Sequence, residues 1–515
     1  MLFNSYEFLL IFLPLTAAGY FALSARGYLR SAASWLALAS IVFYGYWSPS
    51  YVLLLLGSIA ANFAAGSAIL RYRAAQRFSM AKCVLVLAVA ANLCAIGYFK
   101  YANFFVDSLN QIAHTHLTLA RVVLPIGISF FTFTQIAFLV DTYQGKVQES
   151  RIIPYVLFVT YFPHLIAGPV LHHAEMMPQF ARSETYRFQL DNFLVGSAFF
   201  LIGLFKKVVL ADGIQPYVGP VFEADPAYPL SALEAWGGAL AYTMQIYFDF
   251  SGYSDMALGL AKLFNVDLPL NFNSPYKATS ITDFWRRWHM TLSRFLRDYL
   301  YIALGGNRNG PFMRYSNLMI TMLLGGLWHG AGWTFVIWGG LHGIYLVVNH
   351  GWRALRVSLL GHDPARSSRF GRVAALLTTF VFVVIAWVFF RATSLDAALR
   401  ILHEMFGQHG LVLPIEWQAV LGAWLPAEGG WIRFGYLDAF GGMRQVAWIA
   451  ALLAIAWACP NSQTLIGRFR EIARAASERS GEWAWFSLGS IGVIIGLLAL
   501  VNGSRGVSEF IYFNF

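Results

Sequence analysis

Residues 317–350 read NLMITMLLGGLWHGAGWTFVIWGGLHGIYLVVNH, with Arg308 and Arg314 before them and Arg353 after them. The stretch contains no Asp, Glu, Lys or Arg. Basic residues accumulate on the cytoplasmic side of membrane segments. An apolar stretch with basic flanks at both ends therefore has to enter the bilayer and come back. Gly330-Ala331-Gly332, directly after Trp328-His329, is the natural turning point. About fifteen residues of ascent at 1.5 Å each give roughly 22 Å, short of a 30 Å hydrocarbon core. His329 is thus expected deep in the membrane, near the tip of a helical hairpin. Gly325, Gly326, Gly330, Gly332, Gly339 and Gly340 let backbones approach closely around it.

The rest of the chain agrees with a membrane setting. Of 515 residues, 58% are hydrophobic and 12% charged, and the mean hydropathy is +0.56. Soluble domains carry about 25% charged residues, so this balance excludes a disordered chain, a nucleic-acid-binding domain and most soluble enzymes. Aromatic residues make up 17%, which suits a bilayer with interfacial Trp and Tyr anchors. The apolar runs are too long for the alternating strands of an outer-membrane barrel. Runs at 7–24, 31–47, 51–70, 83–99, 122–140, 373–390, 445–459 and 485–502 predict an all-α polytopic fold. Between 150 and 280 the runs are interrupted by Pro163, Gly168-Pro169 and Pro275, and re-entrant segments are expected there. The whole chain reads as one membrane domain, with about 11–13 transmembrane helices plus re-entrant and interfacial helices. Its catalytic core lies at approximately 120–350.

Thirty-six Lys and Arg against twenty-six Asp and Glu leave a net charge of +10. The excess sits in short loops, notably Arg71, Arg73, Arg77 and Lys82, then Arg353, Arg356, Arg366, Arg369 and Arg372, then Arg468, Arg470, Arg474 and Arg479. With these loops in the cytoplasm, both termini fall outside. Residues 7–24 lack a basic n-region and read as a retained helix, not a cleaved signal. Residues 391–442 are more polar and read as an external loop with short helices. Cys83, Cys94 and Cys459 have no metal-like spacing and are expected as buried small hydrophobes.

Residues 282–302, TDFWRRWHMTLSRFLRDYLYI, form the best amphipathic pattern in the chain. At 100° per residue, Trp285, Trp288, Leu292, Phe295, Leu296 and Tyr299 share one face, and Arg286, Arg287, Arg294 and Arg297 gather opposite. The pattern predicts one helix in the cytoplasmic interface, its arginines meeting anionic headgroups or the phosphates of a ligand such as coenzyme A. His289 falls at the edge of the apolar face. An ionisable residue at membrane depth marks a functional site unless it is hydrogen-bonded as a packing residue. A neutral His329 has the form a general base needs. The packing alternative is stronger for His342, further along the returning helix. His164, His172 and His173 flank Gly168-Pro169 without zinc spacing and suit loop or substrate-mouth roles. The terminus, Phe510-Ile511-Tyr512-Phe513-Asn514-Phe515, is aromatic where chain ends are usually polar. It is either an interfacial anchor or a site where the Tyr512 phenol acts as a nucleophile, since a phenyl ester remains a good acyl donor.

Four motifs together resemble the membrane-bound O-acyltransferase (MBOAT) family. They are Arg287-Trp288-His289-Met290-Thr291-Leu292-Ser293, Tyr299-Leu300-Tyr301-Ile302, Leu304-Gly305-Gly306-Asn307 and Gly326-Leu327-Trp328-His329-Gly330. The likeness runs over essentially the whole chain, including Met1-Leu2-Phe3-Asn4-Ser5, and points to the bacterial alginate O-acetyltransferase branch. It implies an MBOAT fold with funnels from both faces meeting near a catalytic histidine, by motif position His329, with His289 as the second characteristic histidine. It implies acetyl-CoA as donor substrate with no permanently bound cofactor, and Trp328 joins the four arginines as a donor-binding candidate. The expected acceptor is an extracytoplasmic polysaccharide such as alginate, with peptidoglycan or cellulose as the alternative. The partners implied are a separate extracytoplasmic acyltransferase protein and membrane lipids, with no nucleic acid, in a bacterial inner membrane. Tyr512 matches a C-terminal tyrosine motif proposed as an acyl relay. A transporter or channel is the rival reading, weakened because no inverted repeat is apparent.

Overall fold

The computed structural model describes residues 1–47, 49–147, 151–166, 168–361, 368–422, 424–425, 430–480, 492, 496 and 510–511. Nearly all of it is helix. Among the described residues, five helical segments are long and apolar enough to cross a membrane: Phe8–Ala25, Pro49–Ala74, Phe78–Ala113, Leu190–Phe222 and Arg369–Arg391. The bent pair Gly442–Ala458 and Ser462–Glu471 gives a sixth if it counts as one span. Other long helices, such as Ala232–Leu263, interleave apolar residues with polar ones that turn inward, as Asp249, Ser254 and Asp255 do. The protein is a multi-pass α-helical membrane protein.

The chain divides into two compact units. The first comprises Met1–Phe205, Gly252–Asn271 and Ser462–Phe515. Its helices reverse the soluble pattern. In Pro49–Ala74, Leu53 is 79% exposed, whereas Asn62 is buried and exchanges amide hydrogen bonds with Asn92 at 2.7 and 3.2 Å. Lipid takes the leucine face, so the polar side chains have to satisfy one another inside. Cys83 and Cys94 also face outward, as does Cys459 of the second unit. The expectation that they are buried is corrected: a small apolar thiol serves equally well against lipid. Phe510 is buried and stacks on Tyr253, which stacks in turn on Phe3, each pair at 4.6 Å. The aromatic terminus is therefore docked as far as Phe510. Tyr512 and nearly all of 485–502 lie outside the described residues.

The second unit comprises Lys206–Ser251 and Phe272–Asn461. It holds a buried ion cluster, Lys207 Nζ at 2.6 Å from Asp249 Oδ1 and 2.9 Å from Asp212 Oδ1. Residues 391–442 contain the helix Leu395–Met405, as expected, and also two short strands that sequence reading missed. Leu411–Pro414 pairs in parallel with Ile432–Gly435. Four-residue strands give too little alternation to be read from sequence.

The hairpin forms where the sequence places it. Helix Gly310–His329 ascends, Gly330 and Gly332 are extended at φ −159° and −167°, and helix Trp333–Leu360 returns. The two helices touch backbone to backbone. A Cβ at Gly326 would lie 2.2 Å from the Phe335 carbonyl oxygen, and one at Gly339 would lie 2.3 Å from that of Met322. At Gly340 the nearest atom would be the end of the Leu323 side chain at 3.4 Å, an ordinary contact.

This contact makes a direct test. Gly339→Leu forces the helices apart and is expected to destabilise the fold by at least about 2 kcal/mol. Gly340→Ala should stay near neutral, within about 0.5 kcal/mol. Thermal unfolding in detergent compares the two.

Candidate active site

The stretch 282–302 is not the single interfacial helix its periodicity predicts. It forms a short helix, Ile281–Trp285, a turn, a second helix, Met290–Phe295, and one π-helical turn, Leu296–Tyr301. His289 sits at the break with φ +42° in the left-handed region. Ser280 caps the first helix by accepting from the Asp283 amide at 3.1 Å. The physical reason for the correction is burial on both sides of the break. Phe284, Trp288 and Leu292 are each 1% exposed and His289 is fully buried. A continuous amphipathic helix would leave half its circumference at the interface. A left-handed residue that is not Gly carries a conformational cost that surrounding packing must hold in place.

The turn brings His289 beside the hairpin tip. His329 is the last residue of the ascending helix and is 4% exposed. The His289 and His329 ring centroids are 6.4 Å apart. Trp328 contacts both, at 6.1 Å from His289 and 4.8 Å from His329. Trp338 and Phe390 stand edge-on to His329 at 5.0 and 5.2 Å, and Phe250 stands edge-on to His289 at 4.8 Å. The two imidazoles thus lie side by side, buried among aromatic rings that exclude bulk water. An imidazole in its uncharged form can accept a proton and return it.

The four expected arginines part company. Arg286 lines an open cavity of about 1230 Å³. Arg287 turns back to Asp283 at 2.9 Å and to the Asn273 carbonyl. Arg294 is half-buried. Arg297 is exposed and held by both Asp298 oxygens at 2.7 and 3.2 Å, which raises its already high pKa further. The cavity instead recruits Arg314 from the ascending helix and Arg353 and Arg356 from the returning one, with His350 and Asn349. Sequence reading used those three arginines only for topology, although the signal was the same: cations bracketing the hairpin. Among the described residues Asp283 is the one acid on the cavity wall, and it is paired with Arg287. Among the described residues the wall carries an excess of positive charge, which suits an anionic group.

The remaining histidines separate. In the first unit, His164 is tied to the Phe158 carbonyl at 3.0 Å, and buried His173 lies 3.2 Å from Asp141. His173, Lys146 and Arg151 line a smaller cavity of about 310 Å³. In the second unit His342 is fully buried among Trp285, Trp338, Phe284 and Tyr345.

The membrane-bound O-acyltransferase family matches residues 67–368, which include both histidines and the hairpin. The chain is 44% identical to the peptidoglycan O-acetyltransferase of Helicobacter pylori over 80% of its own length and 81% of that protein's. It is likewise 44% identical to the probable alginate O-acetylase AlgI of Pseudomonas aeruginosa, over 79% and 75%. A teichoic acid D-alanyltransferase of Streptococcus thermophilus is 27% identical over 52% of the chain and 68% of the relative.

The split among the arginines is testable by binding. Arg353→Ala or Arg314→Ala should weaken a polyphosphate-bearing nucleotide by about tenfold each, the worth of one charge-assisted hydrogen bond. Arg297→Ala, committed to Asp298 at the surface, should bind within about twofold of wild type. Equilibrium binding to protein in nanodiscs, repeated at two salt concentrations, reads both.

Proposed function

The chain belongs to the membrane-bound O-acyltransferase family, and on that premise we propose that it moves an acetyl group from cytoplasmic acetyl-CoA across the inner membrane to O-acetylate an extracytoplasmic polysaccharide. The observation that carries this reading is the pairing of His329 and His289 inside aromatic walls, on a hairpin whose base carries Arg314, Arg353 and Arg356. The phosphates of coenzyme A stay with the arginines, and only the thioester end approaches the histidines. His329 takes the proton of an attacking hydroxyl, whose oxygen bonds to the thioester carbonyl carbon. The tetrahedral intermediate collapses with cleavage of the carbon–sulfur bond, and the thiolate receives the proton from the imidazolium. His289 positions the carbonyl and stabilises the developing oxyanion.

The charged donor never crosses the bilayer; a neutral acetyl does. A separate extracytoplasmic protein then completes delivery, with Tyr512 as a candidate relay whose phenyl ester keeps its acyl-donor strength. Alginate is the acceptor favoured by the AlgI likeness. Peptidoglycan is the second reading, favoured by an equal identity to the Helicobacter pylori enzyme.

His329→Ala is expected to lower acetyl transfer from radiolabelled acetyl-CoA by about 10²–10⁴-fold without loss of folded protein, and His289→Ala by about 10²-fold. Reconstituted vesicles loaded with donor give the rates, and unchanged turnover in His329→Ala would overturn the assignment. Mass spectrometry of the C-terminal peptide should find a 512-acetyl adduct in a variant trapped without its partner. Full activity in Tyr512→Phe would remove the relay and leave the enzyme standing.

A further inference from the structure

Trp338, His342, Tyr345 and Asn349 follow one another on the returning helix at spacings of four, three and four. That spacing places them on a single helical face, over about 16 Å at 1.5 Å per residue. The upper end of the stripe is Trp338, edge-on to His329 at 5.0 Å. The lower end is Asn349, which lines the arginine cavity and accepts a hydrogen bond from Thr282 Oγ1 at 3.0 Å. The stripe thus runs from the cationic cavity to the reacting histidines. His329 does not line the cavity itself; Trp285, His342 and Trp338 fill the interval, with ring contacts of 5.1, 4.8 and 5.8 Å among them.

His342 is fully buried, and neither of its ring nitrogens has a hydrogen-bond partner among the described residues. The same holds for the indole nitrogens of Trp285 and Trp338. A histidine kept for helix packing would bond across the bundle, because an unmet buried donor or acceptor is costly. Four unmet polar atoms in one shell of touching rings form a site for a guest that brings the missing partners. A neutral imidazole offers one donor and one acceptor, and each indole offers a donor only. The guest must therefore supply carbonyl oxygens and at least one N–H along a slim, otherwise apolar chain. A fatty acyl tail supplies neither, and an acetyl group alone is too short for the stripe.

We propose that His342, with Trp285 and Trp338, forms a hydrogen-bonding collar that reads the amides of a pantetheine arm as it carries the acyl thioester from the arginine cavity to His329. This rests on the proposed transfer from a thioester donor. The arm belongs equally to coenzyme A and to an acyl carrier protein; the arginines favour the first, and the test separates the two. His342 is a positioning residue: it fixes how the thioester arrives and takes no proton in the transfer.

The test uses the full-length protein in nanodiscs with three acetyl donors: acetyl-CoA, an acetylated carrier protein, and S-acetyl hexanethiol, which has no amide. His342→Ala should raise KM for acetyl-CoA by about tenfold, the worth of one hydrogen bond, with a smaller change in kcat. His342→Gln, which keeps a donor and an acceptor, should recover most of that loss. With S-acetyl hexanethiol the variant should match wild type within about twofold, since no amide is read. Trp285→Phe, which keeps the ring and removes the N–H, should show the same donor-dependent pattern and serves if His342→Ala misfolds. Wild-type turnover of the carrier protein and not of acetyl-CoA, with the KM penalty following it, identifies the carrier as the source and supports the collar. Equal losses on all three donors, or no loss on the pantetheine donors, overturn the collar while leaving the enzyme reading intact. A wild type that accepts no thioester overturns both.

Discussion

The site depends on one steric fact, that two glycines let the arms of the hairpin meet backbone to backbone. Gly326 and Gly339 each lack a Cβ that would strike the opposite helix's carbonyl oxygen. Apolar helices in lipid gain little from hydrophobic contact, since lipid tails are as apolar as leucine; close approach and dispersion hold them together. The ascending helix stops at His329, where Gly330 turns extended, one turn beyond the crossing. The close crossing sets the returning helix beside it in a register that places Trp338 against the imidazole and Asn349 at the cavity. The buried histidine, its Trp338 wall and part of the cationic mouth all lie along that one helix pair.

Given that frame, the chemistry divides by charge. Arginines gather at the open end, where water and counterions keep four like charges tolerable. Histidines and indoles occupy the closed end, where uncharged groups are the ones that can be buried without a partner ion. A donor with phosphates on one end and a small neutral acyl group on the other fits that division along its length. Under the proposed transfer, nothing charged has to travel beyond the collar of rings.

Much of this was legible in the sequence because membrane physics writes large signals. The hairpin turn at Gly330 and the burial of His329 at its tip followed from the absence of charge between two basic segments. The break at His289 was not legible. A left-handed histidine leaves no mark in a 3.6-residue period, and 282–302 satisfies that period well enough to pass for one helix. The grouping of the arginines was half legible for the same reason. Helical phase put Arg286, Arg287, Arg294 and Arg297 together, but the break at 289 scatters them, and three arginines from the hairpin, remote in sequence from Arg286, take their place. The outward-facing cysteines show a different limit. Hydropathy cannot tell a residue buried in protein from one buried in lipid.

The three buried histidines described in the second unit, His289, His329 and His342, show how far a residue type alone carries an assignment. All three are buried, and all three stand among Trp and Phe rings. Their positions on the backbone tell them apart. His329 ends the ascending helix, directly before the extended Gly330, so the turn and not a following helical turn covers its C-terminal side. His289 occupies a strained turn, and strain of that kind persists where the surroundings require a particular side-chain direction. His342 lies mid-helix, flanked by turns that lead one way to His329 and the other way to the arginines. A mid-helix imidazole has a fixed direction and cannot follow a reacting atom as bonds form and break. It can hold a passing chain in register, and register decides whether a thioester carbon arrives within bonding distance of an attacking oxygen.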